Sequence, residues 1–560
     1  MLTISTGARQ TIHRVTKWPG QDAHNQQGKI PTLVWYNSEK KAVAFGAEAQ
    51  LHTTEEQAED HGWFLAKHFK LHLHPEDMQS KYALKLDGDT ALPPGVGLQQ
   101  IYSDFLEYLL KHTKIYFEDR MLDGKKMWEK YGPEMEVVIA HPNGWGIREQ
   151  TFLRSAAVAA GFAMASKVRF VTEAEASVHF CIHHTNLGDA MRFQPGTNFA
   201  VCDAGGSTVD TTLYSVASIS PTLKLEEKRA SACEWLCCFH REFVYQNATT
   251  GVQAGAIFID FEMERYLKSV LTKAELDPED VEIYTKTGVK DFETFAKRVF
   301  RDEKTEHSIL LAHSRFSNTA IRTRRGRMTV PGYLGSRSTI QKFFDTCVDE
   351  IKKSVDRQLD GLDVPVGHDC LVSRNEYVRN EFRKRYEPNG SRITLGNDSS
   401  SKAVADGATI WGIASSVVSR APRYSFGKKT SRDYDPLLHD PQGRKAYVSL
   451  DGKYRVSGGW SEIVHKVGGM QYYLMYKLNN VQVQLMAYTG DDRGGNLNNL
   501  RGALKAKKSP LGVKYWKLKY QVCIRFGGTE LESYLEWREN GVTRTGPVSI
   551  IVPPDASYGY

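Results

Sequence analysis

The spacing of apolar residues divides the chain into extended and helical stretches. Residues 1–50 hold short β-branched and aromatic runs around a Pro-Gly turn, "TKWPGQ" followed by "IPTLVWYNSEKKAVAFGAEA", which predicts short strands. Residues 55–130 change to helical spacing, clearest in "LQQIYSDFLEYLLKHTKIYFEDRML". A buried strand, "MEVVIAHP" (135–142), then leads to a helix, "IREQTFLRSAAVAAGF" (147–162), whose small residues suit close packing. "KVRFVTEAEASVHFCI" reads as strand, break and helix. Strand and helix alternate to about residue 418, with helices over "RSTIQKFFDTCVDEIKKSVDRQLDGL" and "SSKAVADGATIWGIASSVV". The stretch "SRAPRYSFGKKTSRDYDPLLHDPQG" is rich in Pro, Gly and charge and marks a boundary at 419–440. Beyond it the period drops to two in "VQVQLMAY" and "VKYWKLKYQVCIRF", while Asp451-Gly452 and Asn540-Gly541 signal hairpins.

Composition narrows the class. A chain of 560 residues, 41% hydrophobic and 25% charged, suits a globular protein of several domains. The net charge of +7 is scattered, which predicts neither a nucleic-acid nor a membrane partner. "RTRRGR" (322–327) is the one dense basic cluster and reads as a solvated loop. Eight cysteines form no disulfide framework, no apolar run approaches the roughly 20 residues of a bilayer span, and "MLTISTGARQ" lacks signal-peptide features. A reducing, cytoplasmic location is expected.

The most informative stretch is "TNFAVCDAGGSTVDTTLYSV" (197–216), where an apolar run reaches Asp203, breaks over Ala204-Gly205-Gly206-Ser207-Thr208, and resumes as alternating residues. A Rossmann or Walker loop must open a helix, because the helix N-terminus supplies the donors. Here a second strand follows. The "GKKT" at 427–430 also fails the Walker pattern, with Lys429 where Ser or Thr is required. Two readings stand. In one, Gly205 and Gly206 let backbone amides approach a phosphate, Ser207 and Thr208 add hydroxyls, and Asp203 holds Mg²⁺ through water. In the other, the segment is a plain hairpin.

Other constellations are weaker. His68 and His72, and His179 and His183, sit four apart without an evident third ligand. Cys233, Cys237, Cys238 and His240 fall within eight residues and have no second cluster. Cys181 and Cys202 lie in apolar runs and read as small core residues.

"DAGGSTVDTTLY" resembles the second phosphate-binding hairpin of the actin and 70-kDa heat-shock (DnaK-like) superfamily. "VVIAHPNGWGIREQTFLRSAAVAAGF" is similar to that family's strand, Pro-containing turn and connecting helix, and "RFVTEAEASVHF" to its next strand and helix. "DSSSKAVADGATIWGIA" resembles the second connecting helix, with Gly407 where the helices pack closely. The closing "CIRFGGTELESYLEWRENGVTRTGP" is similar to the divergent heat-shock-70 branch expanded in fungi. The resemblance implies an α/β fold, an actin-like (ribonuclease H-like) domain of two lobes closing on ATP and Mg²⁺, and a β-rich C-terminal region. The lobes would span 1–196 and 197–418, with a linker over 419–440 and the β-rich region over 441–560. Asp203 would be the Mg²⁺-side carboxylate, and Gly205 to Thr208 the phosphate cradle. Glu173 would position the hydrolytic water and Lys70 reach the γ-phosphate. Gly255 would face phosphate, and Lys297 and Arg298 would flank the adenosine.

The sequence departs from that family in three places. It contains no Asp-x-Gly-Thr-Thr motif, the family's first phosphate hairpin, so a gap is expected in the N-terminal lobe's sheet. The adenosine strand "CLVSRNEYVRNEF" runs into Ser373-Arg374-Asn375 where the family has a Gly-Gly turn. Residues 234–251 read as an insertion ahead of Gly255. Hydrogen bonds to charged groups contribute about 1.5–3 kcal/mol each, and a micromolar ligand binds with about 8 kcal/mol. Losing two or three donors is therefore enough to put hydrolysis in doubt. The expected function is an ATP-binding, chaperone-like protein acting on an unknown client. The alternatives are a non-catalytic partner-binding module or the product of a defective gene model.

Overall fold

The computed structural model describes residues 3–6, 11–21, 28–75, 91–184, 194–220, 223–229, 251–252, 255–302, 306–313, 315–330, 338–359, 369–371, 375–394, 403–413, 417–419, 426–439, 445–448, 453–464, 475–477, 506–508, 514–516, 521–525, 532–539, 542–545 and 549–550. The fold is mixed α/β with several small sheets. Two compact units are present, one built on Met1–Val418 and the other on Ser419–Pro553.

The largest sheet belongs to the first unit. Its strands run in the order Arg392–Thr394, Asp369–Leu371, Asn198–Ala204, Val209–Ser218, Lys224–Arg229 and Val417–Ser419, and Gly251–Val252 also pairs with Val209–Ser218. The first three are parallel, whereas Asn198–Ala204, Val209–Ser218 and Lys224–Arg229 form an antiparallel meander. Side chains alternate between faces. Phe199, Val201, Tyr214 and Val216 pack with Val178, Phe180 and Cys181 of the helix Glu173–His184 and with Ala403. Cys202 and Val209 turn the other way, into a large core shared with the helices Ala256–Lys273 and Thr339–Leu359. Both faces are covered, so these strands read as near-continuous apolar runs.

The N-terminal half is built from smaller pieces. Thr3–Thr6 pairs with Thr11–Arg14, Leu33–Tyr36 pairs with both Ala42–Phe45 and Phe64–Lys67, and Val137–His141 lies parallel to Val168–Thr172. No ladder joins these three sheets among the described residues, so this half, where a gap in the sheet is expected, holds several small sheets. Packing holds them together. Trp18, Val34, Tyr36 and Phe69 form one core with Leu98, Ile101 and Tyr108 of the helix Leu98–Arg120 and with Phe152, Leu153 and Phe170. Val171 and the partly buried Val138 pack against Ala408 and Trp411 of the helix Ala403–Ile413. Arg14 donates twice to one oxygen of the fully buried Asp406, at 2.7 Å each, tying the first hairpin to that helix.

The helix Glu173–His184 follows Val168–Thr172 directly, with none of the break expected there. It packs against Ala403–Ile413 so closely that a Cβ at Gly407 would overlap the Ala176 carbonyl. That contact is between backbones, so no side-chain rotation relieves it.

In the second unit, Phe426–Asp433 and Ala446–Val448 flank Tyr454–Val464, and Glu532–Glu539 pairs with Gln521–Arg525, Val542–Thr545 and Ser549–Ile550. The expected linker thus contains an eight-residue strand and the short helix Pro436–His439. Strands pair across both the Asp451-Gly452 and Asn540-Gly541 turns. The turn residues themselves, "VQVQLMAY" and nearly all of 234–251 lie outside the described residues.

Gly407→Ala is expected to lower stability by about 1–3 kcal/mol, the usual cost of forcing a group into a filled interior. Urea unfolding followed by far-UV circular dichroism measures it, and Gly412→Ala, where the nearest atom to an added Cβ is a Val138 methyl at 3.2 Å, should cost less.

Candidate functional site

The glycine hairpin is a tight strand-turn-strand. Asp203 pairs with Asp210 and Ala204 with Val209, leaving residues 205–208 as the turn, closed by a 3.0 Å bond from the Gly205 amide to the Thr208 carbonyl. The mouth of a helix does lie here, in an unexpected role. The first amides of Ala256–Lys273 donate to the turn, Ala256 to the Gly205 carbonyl at 3.1 Å and Ile257 to the Gly206 carbonyl at 2.9 Å. These helix donors are therefore spent on the hairpin. Gly255, expected to face phosphate, is pressed against the turn, where a Cβ would stand 2.5 Å from the Gly206 carbonyl oxygen. The Gly206 and Ser207 amides have no hydrogen-bond partner among the described residues, and Gly206 is exposed.

Alternation along the two strands places Asp203 and Asp210 on one face. Asp203 accepts a 2.8 Å bond from the Ser177 hydroxyl, and Asp210 accepts one of 2.8 Å from the Asn143 amide. Asn143 lies in the Pro-containing turn after Val137–His141, and its side chain also donates to Thr212 at 2.7 Å. Glu173, the first residue of its helix, joins Lys70 in a 2.9 Å ion pair. Lys70 comes from the 3₁₀ turn Phe69–Leu73 and stands 5.7 Å from the centre of the Trp145 ring. The Trp145 indole donates to His74 Nδ1 at 2.9 Å, and burial followed by the Lys70 charge pushes His74 down to about 3, so it is neutral.

Three carboxylates close together repel. Burial, then the charge of Glu173, raises Asp203 to about 6, against opposing contributions from Ser177, Lys29 and Lys70. Asp210 is also raised, by burial first and then by Glu173 and Asp203. One Asp210 oxygen and the Thr208 hydroxyl are buried without a hydrogen-bond partner. No group of three or more His, Cys, Asp or Glu among the described residues is placed to hold a metal ion alone. Mg²⁺ prefers one or two carboxylates completed by water and phosphate, and that donor set fits Asp203 and Asp210.

The structure therefore brings Lys70, Glu173 and Asp203 together beside the turn Gly205 to Thr208, with Gly255 behind it. Lys297 is committed to Asp260, with Nζ to carboxylate distances of 2.6 and 2.7 Å, and both groups are mostly buried. Arg298 donates to the Glu293 carbonyl at 3.1 Å. Where a Gly-Gly turn was sought, Asn375 caps the helix Glu376–Tyr386 through a 3.2 Å bond from the Val378 amide, and also donates to the Lys297 carbonyl at 3.1 Å. Asn143 and Asp210 escaped the sequence reading. A carboxylate inside the otherwise β-branched and apolar "TVDTTLYSV" was the available signal for Asp210.

The raised carboxyls give a pH dependence of known sign. The folded chain holds the Asp203 proton up to about pH 6, whereas an unfolded Asp releases it near 3.9, so this contribution to stability is present at low pH and lost as pH rises through 6. Asp203→Asn should therefore raise the Tm above pH 6, with a gain that shrinks below it, and Asp210→Asn should act in the same direction. Differential scanning fluorimetry from pH 5 to pH 8 (roughly the span around that transition) reads both. A pH-independent gain would contradict the assignment.

No protein-family model matches the chain, and no curated protein is similar to it. Among solved structures it is similar to a non-polymerisable quadruple mutant of pCBH ParM, with 10% identity over 68% of this chain and 86% of that one. The TM-score is 0.33, so the functional reading rests on the residues themselves.

Proposed function

We propose that the first unit is an actin-like, heat-shock-70-like domain that binds ATP with Mg²⁺ and turns it over slowly. The observation that carries this reading is the convergence of Glu173, Asp203, Asp210 and Lys70 on a strand-turn-strand whose Gly206 and Ser207 amides have no partner among the described residues. Two adjacent amides and a hydroxyl suit a phosphate oxygen. The acidic side chains outnumber the facing ammonium groups, Glu173, Asp203 and Asp210 against Lys29 and Lys70, and so favour a cation beside the anion. Mg²⁺ would supply charge neutralisation there, held by Asp203 through water with Asp210 alongside.

The residues also account for slow chemistry. Lys70 would neutralise a terminal phosphate and Glu173 would accept a hydrogen bond from attacking water, yet each engages the other in their ion pair. Turnover then requires that pair to loosen. The Lys297 ammonium is committed to Asp260 and the Asn375 side chain to the Lys297 carbonyl and to its own helix, which weakens the adenosine side. A partner-binding module that holds nucleotide without hydrolysing it is the second reading. In both, nucleotide acts on a client or partner by favouring one arrangement of the domain.

Isothermal titration with Mg-ATP separates these outcomes. Binding in roughly the micromolar range, weakened at least tenfold by Asp203→Asn, is expected. Glu173→Gln should retain binding and abolish phosphate release, and a wild type that binds but releases no phosphate favours the second reading. Absence of heat at millimolar Mg-ATP overturns both.

A further inference from the structure

The basic cluster at 322–327 is exposed, as expected, but is a hairpin rather than a loop. It forms the tip of a three-stranded sheet in which His307–Leu310 and Thr323–Arg324 flank Arg327–Val330. Between residues 307 and 338 the sequence contains six arginines, no lysine and no acidic residue. Arg315, Arg322, Arg324, Arg325 and Arg327 are all exposed. Arg327 stands 3.9 Å from Asp291, and the other four have no carboxylate partner among the described residues.

Local preferences are violated here in two ways. Arg324 pairs directly with Arg327 across the ladder, and like charges in that position destabilise a hairpin. Arg325 has a φ of 52° and Gly326 one of 75°, the conformation of a two-residue turn that favours Asn-Gly, while Arg322 also has a φ of 52°. Left-handed backbone at a bulky residue persists only where the surroundings impose it. They do so here. The Arg325 amide donates to the Ser317 hydroxyl at 3.1 Å and the Gly326 amide to the Phe316 carbonyl at 2.7 Å, while Leu311 and Ala312 donate to the Gly326 carbonyl at 2.8 and 3.2 Å. The backbone of these arginines is thus fixed, Arg324 facing Arg327, and among the described residues only Arg327 has a nearby carboxylate.

We infer that this hairpin is a docking surface for a short, carboxylate-rich segment of a partner protein. An anionic partner removes the repulsion between Arg324 and Arg327, and the exclusive use of Arg suits two-pronged recognition of carboxylates. The flanking surface is mixed in charge, which favours a short segment over a long polyanion. Tyr284 packs on Phe316 with ring centres 4.8 Å apart, setting the helix Pro278–Asp291 beside the patch, and that helix exposes Glu279 and Glu282 before Tyr284 and Lys286 and Lys290 after it. A long polyanion would meet those acids, whereas a short segment fits within the arginines. The surface is independent of the nucleotide reading.

The test uses the full chain and a fluorescein-labelled oligo-glutamate peptide, with an oligo-glutamine peptide and a single-stranded DNA oligonucleotide as comparators, read by fluorescence anisotropy. The expected result is salt-sensitive binding of the glutamate peptide alone, weakened at least tenfold by Arg324→Glu with Arg325→Glu. Arg325→Gly, which relieves the backbone, is expected to raise the Tm while weakening the peptide at least threefold, so that lost binding is separated from lost folding. Equal binding of DNA, or glutamate-peptide binding unchanged in both variants, overturns the proposal, as does no binding by the wild type.

Discussion

The arrangement around the candidate site depends on one docking contact, in which a helix start caps a glycine turn. The amides of Ala256 and Ile257 would be orphaned at any helix N-terminus. Here the Gly205 and Gly206 carbonyls accept them, so the turn and the helix fix each other. The contact leaves no room for a side chain at Gly255. It also sets which groups of the turn remain available: the Gly205 and Gly206 carbonyls are consumed, and the Gly206 and Ser207 amides have no partner among the described residues. The proposed phosphate contact rests on that division and needs no free helix mouth.

The second constraint is electrostatic. Sheet alternation forces Asp203 and Asp210 to one face, directly opposite each other, and Glu173 adds a third carboxylate. An apolar pair at these positions would serve a plain hairpin better, because buried like charges raise each other's affinity for protons and lower stability at neutral pH. The sequence keeps them, and Lys70, Ser177 and Asn143 offset only part of the repulsion. Such an uncompensated cost is commoner at functional sites than in structural hairpins.

Much of this was legible from residue patterns. The helices over 98–120, 147–159 and 339–359 follow from apolar spacing, and Gly407 was placed correctly at a close helix crossing. The glycine hairpin was readable because β-branched residues follow the glycines and exclude a helix. Three features were hidden. The fragmented N-terminal sheets depend on which strands find partners, and short runs such as "TIST" carry no pairing information. The capping of the turn by Ala256 joins segments some 50 residues apart in sequence (a separation beyond any local rule). The arginine cluster is solvated as expected, but its hairpin form was hidden because charge density alone does not reveal a φ of 52° at Arg325 or a facing Arg327.

The pairing of Arg14 with Asp406 has a temporal side. These residues lie 392 positions apart, and the carboxylate is wholly enclosed in the finished protein. During translation at about 5–20 residues per second, the guanidinium emerges roughly 20–80 s before its counter-ion exists. The opening hairpin must wait, unanchored, until nearly all of the first unit has left the ribosome. Closure of this unit thus joins segments made far apart in time, and any chaperone that assists it would act on a hairpin still waiting for its counter-ion.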